Sequence, residues 1–282
     1  MSGPLPAPRT VARAWLFDVD GVLADPSTKR IERPAILAEL AARLRRGEPV
    51  GANTGRSLAF VEERLLAPLE ATIHDPALRR LLFVAAEKGA ASLVYGPDGE
   101  RRRHLDADLT LPAINELRAD VAALIAERYA DVMFVDRSKQ SMISIEMVDN
   151  LAVDVFRRHQ LDLLPELDAL IRRRGLAGRV RIDASRIAVD LEHPTSGKAL
   201  GARGFVAFLA QRGIVPHRFV AFGDSPSDLA MAEELDRLGV PVEFVFVGGR
   251  EQLQLDAPPP FPVIFTAALC DDGTLEYLRQ HA

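Results

Sequence analysis

Apolar runs that stop abruptly on polar residues recur along this chain. Ala14-Trp15-Leu16-Phe17 breaks at Asp18, Pro49-Val50-Gly51-Ala52 at Asn53-Thr54, and Phe219-Val220-Ala221-Phe222-Gly223 at Asp224. Short unbroken apolar runs suit strands buried on both faces. Between them Ser196-Gly197-Lys198 opens a helix-period pattern that reaches Gln211. The alternation predicts an α/β fold built on a doubly wound, mostly parallel sheet. In such sheets ligands bind beyond the carboxyl ends of the strands, so the polar groups that close the runs should converge on one crevice.

A different pattern fills the residues between Arg56 and Lys198. Leu81 to Ala90 reads as one more core strand with its turn, and Tyr95-Gly96-Pro97-Asp98-Gly99-Glu100 as a hairpin turn. Leu111 to Ala130 has helical periodicity. Asp131 to Phe134 and Ser141 to Val148 have strand character, the latter alternating Met142, Ser144 and Glu146 against Ile143, Ile145 and Met147. Asn150 to Arg174 reads as a helix broken at Pro165, and Arg179 to Asp183 and Arg186 to Leu191 as two further strands. This is far more than one crossover needs. It predicts an α+β domain over residues 104–192, inserted into a core of residues 1–103 and 193–282. There is no internal repeat, and low complexity is confined to Pro258-Pro259-Pro260.

Composition narrows the class. With 282 residues, 48% of them hydrophobic, the chain has ample material for two cores. One cysteine, Cys270, cannot form an internal disulfide, which points to a reducing compartment. The start Met1-Ser2-Gly3-Pro4-Leu5-Pro6 lacks a charged-then-apolar leader pattern, and no apolar run is long enough to span a bilayer. A cytoplasmic protein without membrane attachment is expected. A net charge of −5 argues against a nucleic-acid partner. The triplets Arg101-Arg102-Arg103 and Arg172-Arg173-Arg174 read as solvated faces, the second where cations suit a helix end. A monomer and a homodimer are both compatible with the sequence.

The candidate chemistry begins at Phe17-Asp18-Val19-Asp20-Gly21. Two carboxylates two residues apart where a strand opens fall on one side of the chain, and Gly21 permits a sharp turn close to a ligand. One can attack as a nucleophile while the other handles protons. Each candidate also has a plainer reading. Asp18 and Asp20 could be a solvated turn, Thr54 a helix cap near Ser57, Lys198 a surface lysine, and Asp228 a residue favoured by a helix dipole.

The order Asp18-x-Asp20-Gly21-Val22, Thr54-Gly55-Arg56, Lys198 and Gly223-Asp224-x-x-x-Asp228 resembles the four motifs of the haloacid dehalogenase superfamily, in its phosphatase branch. Any one alone would be weak. The resemblance covers roughly residues 12 to 95 and 195 to 282. It implies a Rossmann-like core, Asp18 as the nucleophile that takes a phosphoryl group, and Asp20 as general acid and base. It further implies Thr54 with Gly55 and Lys198 as the phosphate-binding groups. Mg²⁺ would be held by Asp18, the Asp20 carbonyl, Asp224 and, directly or through support, Asp228. The inserted domain resembles the C2 cap that roofs the active site in sugar phosphatases and phosphomannomutase. In it Arg137 to Ile143 has the look of a substrate-contacting strand. Arg56, Arg137, Lys139 and Arg186 become candidates for gripping the substrate, with surface ion pairing as the alternative for each, and His193 a loop residue near the lysine helix. The resemblance implies a Mg²⁺-dependent phosphomonoesterase acting on a small phosphorylated metabolite, a sugar phosphate or phosphoglycerate-type compound. A phosphomannomutase-like mutase and a non-catalytic phospho-ligand binding protein are the alternatives. A receiver domain has a different motif order and about half the length.

Overall fold

The computed structural model describes residues 8–255 and 257–282. The leader-region reading of Met1 to Pro6 lies outside them. The chain divides into two compact units, one of Met1–His104 with Gly197–Ala282 and one of Leu105–Ser196.

In the first unit β1 (Arg9–Phe17) leads to α1 (Pro34–Arg45) and β2 (Val50–Asn53). A helical stretch follows, α2 (Leu58–Val61) and α3 (Ala67–Thr72) joined through a π-turn, then α4 (Pro76–Arg79), β3 (Leu82–Ala86), β4 (Ala91–Tyr95) and β5 (Arg101–Leu105). The second unit holds α5 (Ile114–Arg128), β6 (Met133–Asp136), β7 (Ile143–Met147), α6 (Val153–Arg173), β8 (Arg181–Ala184) and β9 (Ala188–Glu192). The chain then returns to the first unit with α7 (Lys198–Gln211), β10 (Ile214–Gly223), α8 (Leu229–Arg237), β11 (Val242–Phe246), β12 (Val263–Phe265) and α9 (Cys270–Gln280).

The main sheet runs β12-β11-β10-β1-β2-β3-β4-β5, and β12 through β3 are parallel. β4 turns back antiparallel on β3. The central strands are buried along their carboxyl halves, as double-sided burial demands. Phe17 stacks on Phe222 at 4.6 Å between ring centroids, and Phe83 on Phe205 at 5.6 Å. β1 lies where the sheet order reverses, β2 and β3 building outward on one side and β10 to β12 on the other. A ligand crevice belongs at that point.

The second unit is a four-stranded antiparallel sheet, β6-β7-β9-β8, with its own core. Ile143, Ile145, Val189 and Leu191 pack with Leu117 and Val121 of α5 and with Phe156, Leu163 and Leu167 of α6. Asp136, Ser144, Asp190 and Asp183 are register neighbours on successive strands, one polar row across the sheet.

Several elements differ from the sequence reading. α6 runs through Pro165 without a break. Pro165 lies on the exposed side, where water can satisfy the carbonyl it leaves without a partner, while Leu163 and Leu167 hold the buried stripe on either side. α5 begins at Ile114 rather than Leu111, because Ala113 takes a left-handed φ of 50° after Pro112. The stretch from Arg137 to Met142 is a hairpin loop and not a strand. Asp136 Oδ1 accepts from Ser138 N at 2.8 Å and starts the turn, so the strand resumes only at Ile143.

Candidate active site

Register determines what stands beside Asp18. Phe17 pairs with Ala52 on β2 and with Phe222 on β10, so Asp18 emerges level with Asn53 and Gly223. Lys198, the first residue of α7, places its Nζ 2.7 Å from Asp18 Oδ1 and 2.6 Å from Asp228 Oδ1. It also donates to the Asn53 carbonyl at 2.9 Å, and Asn53 Nδ2 donates back to the Lys198 carbonyl at 2.8 Å. Gly201 makes this approach possible, since a Cβ there would lie 2.1 Å from Asn53 Oδ1.

Asp228 is fully buried at the end of a 3₁₀ turn that precedes α8. Its Oδ2 accepts from Asp224 N at 3.2 Å, Ser225 N at 3.0 Å and Ser225 Oγ at 2.7 Å. One oxygen therefore fixes the loop that carries Asp224 while the other faces Lys198. Oxygens of Asp18, Asp224 and Asp228 lie within 4.8 Å of one another.

Thr54 is buried at the end of β2. Its N–H donates to the Ala85 carbonyl at 2.9 Å, and its Oγ1 accepts from Arg56 N at 3.1 Å. The helix cap is Ser57, whose side chain accepts from Phe60 N. Gly55 is partly exposed beside Thr54. Arg56 forms a forked pair with Asp20, Nε to Oδ2 at 2.8 Å and Nη2 to Oδ1 at 3.2 Å, with its guanidinium over the Phe60 ring at 4.8 Å. The Asp20 side chain is thus turned to Arg56 and is not one of the three clustered carboxylates.

A turn after β3 joins the Thr54 loop to the lysine helix. Glu87 N–H donates to the Arg56 carbonyl, Lys88 N–H to the Thr54 carbonyl, and Gly197 N–H to the Lys88 carbonyl. Glu87 and Lys88 achieve this at left-handed φ of 49° and 56°. Asn53, Ser225 and this turn are parts of the site that the sequence reading missed. Only Asn53 left a signal, a polar residue closing a buried strand.

Burial and its carboxylate neighbours push the Asp18 carboxyl well above the usual range, against the opposing pull of Lys198. Asp224 is pushed up to about 6, first by burial and then by Asp228. Burial works to lower Lys198, but Asp18 and Asp228 outweigh it and raise the ammonium. Lys198 pairs with Asp18 and Asp228, and Arg56 with Asp20, so one ammonium stands among the three clustered carboxylates. Clustered hard oxygen donors with uncompensated negative charge fit a divalent cation such as Mg²⁺.

The remaining candidates belong to the second unit. Arg137 is exposed on the β6–β7 loop and Arg186 on the β8–β9 turn. Lys139 is buried, with its ammonium 3.9 Å from Glu146 Oε1 and its carbonyl accepting from Arg118 at 2.8 Å. That unit also groups Asp183, Asp190 and Glu192, of which Glu192 pairs with Arg181 and Asp190 accepts from Ser144 Oγ. His193 bonds through Nδ1 to Thr195 Oγ1 at 2.8 Å within its own loop.

A parallel sheet with its acidic and lysine groups at the reversal point, interrupted by an α+β insertion, is the haloacid dehalogenase-type fold. Solved structures agree across nearly the whole chain. The C-terminal domain of trehalose-6-phosphate phosphatase from C. albicans matches with a TM-score of 0.67 at 15% identity, covering 95% of this chain and 92% of that one. A haloacid dehalogenase-like hydrolase from Bacteroides thetaiotaomicron matches at 0.61 and 14%, covering 96% and 100%. An IMP-nucleotidase from Plasmodium falciparum matches at 0.56 and 10%, covering 96% and 68%. By sequence, no family model and no curated protein matches.

Proposed function

We propose that this chain is a Mg²⁺-dependent phosphomonoesterase that hydrolyses a small phosphorylated metabolite, with sugar phosphates the favoured class. The observation that carries the reading is Asp18, in contact with Lys198 and clustered with Asp224 and Asp228 at the carboxyl end of the central strand. The names of the structural neighbours support phosphate ester chemistry, and the trehalose-6-phosphate phosphatase supports a sugar phosphate.

In this reading Asp18 attacks phosphorus, the bond to the leaving oxygen breaks, and its electron pair stays on that oxygen, which takes a proton from Asp20. Water then attacks the aspartyl phosphate, gives its proton to Asp20, and releases phosphate and Asp18. Asp18, Asp224 and Asp228 would hold Mg²⁺, which offsets the repulsion between an anionic nucleophile and a phosphate dianion. Lys198 orients Asp18 and presents positive charge, and Thr54 with Gly55 offers a hydroxyl and backbone to the phosphoryl oxygens. Catalysis rests on placement and charge in a largely buried site.

The test is phosphate release from a panel of mono- and disaccharide phosphates, phosphoglycerates and nucleoside monophosphates. Each is assayed with Mg²⁺ and with chelator, and Asp18→Asn serves as control. Metal-dependent release, abolished by chelator, restored by Mg²⁺ and lost in Asp18→Asn, is expected. Isomerisation of a hexose phosphate without net release would replace this reading by a mutase.

A further inference from the structure

Arg56 stands out because of how it meets Asp20. Two hydrogen bonds, Nε to Oδ2 and Nη2 to Oδ1, use both carboxylate oxygens. A fork of this kind fixes the plane and rotation of the carboxylate, which a single bond leaves free. Arg56 is itself held. Its carbonyl accepts from Glu87, its N–H donates to Thr54 Oγ1, and its guanidinium lies over Phe60, which packs on the main core. Asp20 follows the sheet end by three residues, in a turn closed by Gly21 N–H to the Ala24 carbonyl. A carboxyl on such a turn has rotamers to lose, and a proton donor must meet the leaving oxygen at hydrogen-bond distance.

Resting on the phosphatase reading, we infer that Arg56 is the positioning residue for Asp20, with Phe60 as its clamp, and that it serves proton delivery to the leaving group rather than recognition of the substrate. The step concerned is the breaking of the bond between phosphorus and the leaving oxygen, whose electron pair receives the Asp20 proton. Esters that leave as stable anions do not need that proton. Transfer of their phosphoryl group to Asp18 should survive a misplaced Asp20, whereas the later attack of water on the aspartyl phosphate, which also uses Asp20, slows alike for every ester.

The experiment compares p-nitrophenyl phosphate, a good leaving group, with the best alkyl phosphate of the panel above, for the unaltered chain, Arg56→Lys, Arg56→Ala and Asp20→Asn. Arg56→Lys keeps the charge and removes the fork. Thermal unfolding of each variant is recorded alongside. We expect both Arg56 variants to lose on the order of tenfold or more in kcat/KM on the alkyl ester and less than about threefold on the aryl ester, in the same direction as Asp20→Asn, because kcat/KM reads the step in which the leaving group departs and not the later attack of water. Equal losses in kcat/KM on both esters in a folded variant, or no loss on either, would overturn the inference while leaving the phosphatase reading intact. An unaltered chain that hydrolyses none of the esters would overturn that reading and the inference with it.

Discussion

At Gly21 the backbone turns with φ of +71°, and a Cβ there would come within 2.1 Å of Asp224 Oδ2. Gly21→Ala should therefore cost about 1–2 kcal/mol in strain and crowding and displace Asp224. Urea unfolding should show the lower stability and, if the proposed Mg²⁺-dependent activity holds, a Mg²⁺ titration of that activity should show a raised metal requirement. Away from the site, Glu70 accepts from Arg101 Nε and Nη2 at 2.8 and 2.9 Å and from the Tyr95 hydroxyl. Burial pushes Glu70 up, but Arg101 and Tyr95 outweigh it and hold the carboxyl below its ordinary value of 4.5. A depressed folded-state pKa contributes stability above the unfolded value, and that contribution is lost as pH falls through the folded one. The Glu70→Gln penalty, about 1 kcal/mol at neutral pH, should shrink as the pH is taken below 4.5, as urea unfolding at neutral and acid pH would show.

Two elements carry visible local cost. Pro165 inside α6 removes one helical hydrogen bond on an exposed face, so Pro165→Ala should stabilise the protein by about 1–3 kcal/mol in thermal or urea unfolding. The Glu87-Lys88-Gly89 turn holds two residues with side chains at left-handed φ. Lys88→Gly should leave stability unchanged or higher, whereas Lys88→Val should lower it by about 2 kcal/mol, and equal effects would argue against strain at this turn. Both features also mark where reading elements from sequence fails. The proline rule is local, but Leu163 and Leu167 are fixed by tertiary packing that overrides it. The turn after β3 contains no residue that announces a left-handed conformation except Gly89, because its backbone is set by bonds to Thr54, Arg56 and Gly197, which are distant in sequence. By contrast, the buried strands β1, β2 and β10 were legible, since continuous apolar runs have few other places to go.

For the whole molecule, the two hydrophobic clusters share no residue among those described, and the chain divides into two compact units, each with its own core. Residues 105–196 expressed alone should fold cooperatively, with a sigmoidal urea transition in far-ultraviolet circular dichroism. A broad, non-cooperative change would show that this core does not suffice. The acidic and lysine groups around Asp18 were legible because each closes a sheet strand or opens a helix, positions that the α/β topology gathers. The pairing of Arg56 with Asp20 was not, since an arginine reaches far enough to choose among several partners.

β1 is completed by β10, paired from Arg9↔Ile214 to Phe17↔Phe222, so β1 waits about 200 residues for its neighbour. During synthesis this is an interval of roughly 10 to 40 s, in which Trp15, Leu16 and Phe17 have left the ribosome but lack half their sheet. The strand that leads to Asp18 is thus made well before its neighbour and stays half-covered meanwhile, open to chaperones that bind apolar surface. Stalled nascent chains ending before Ile214 should remain protease-sensitive around Trp15 and bind hydrophobic-surface chaperones, and chains extended past Gly223 should lose both properties.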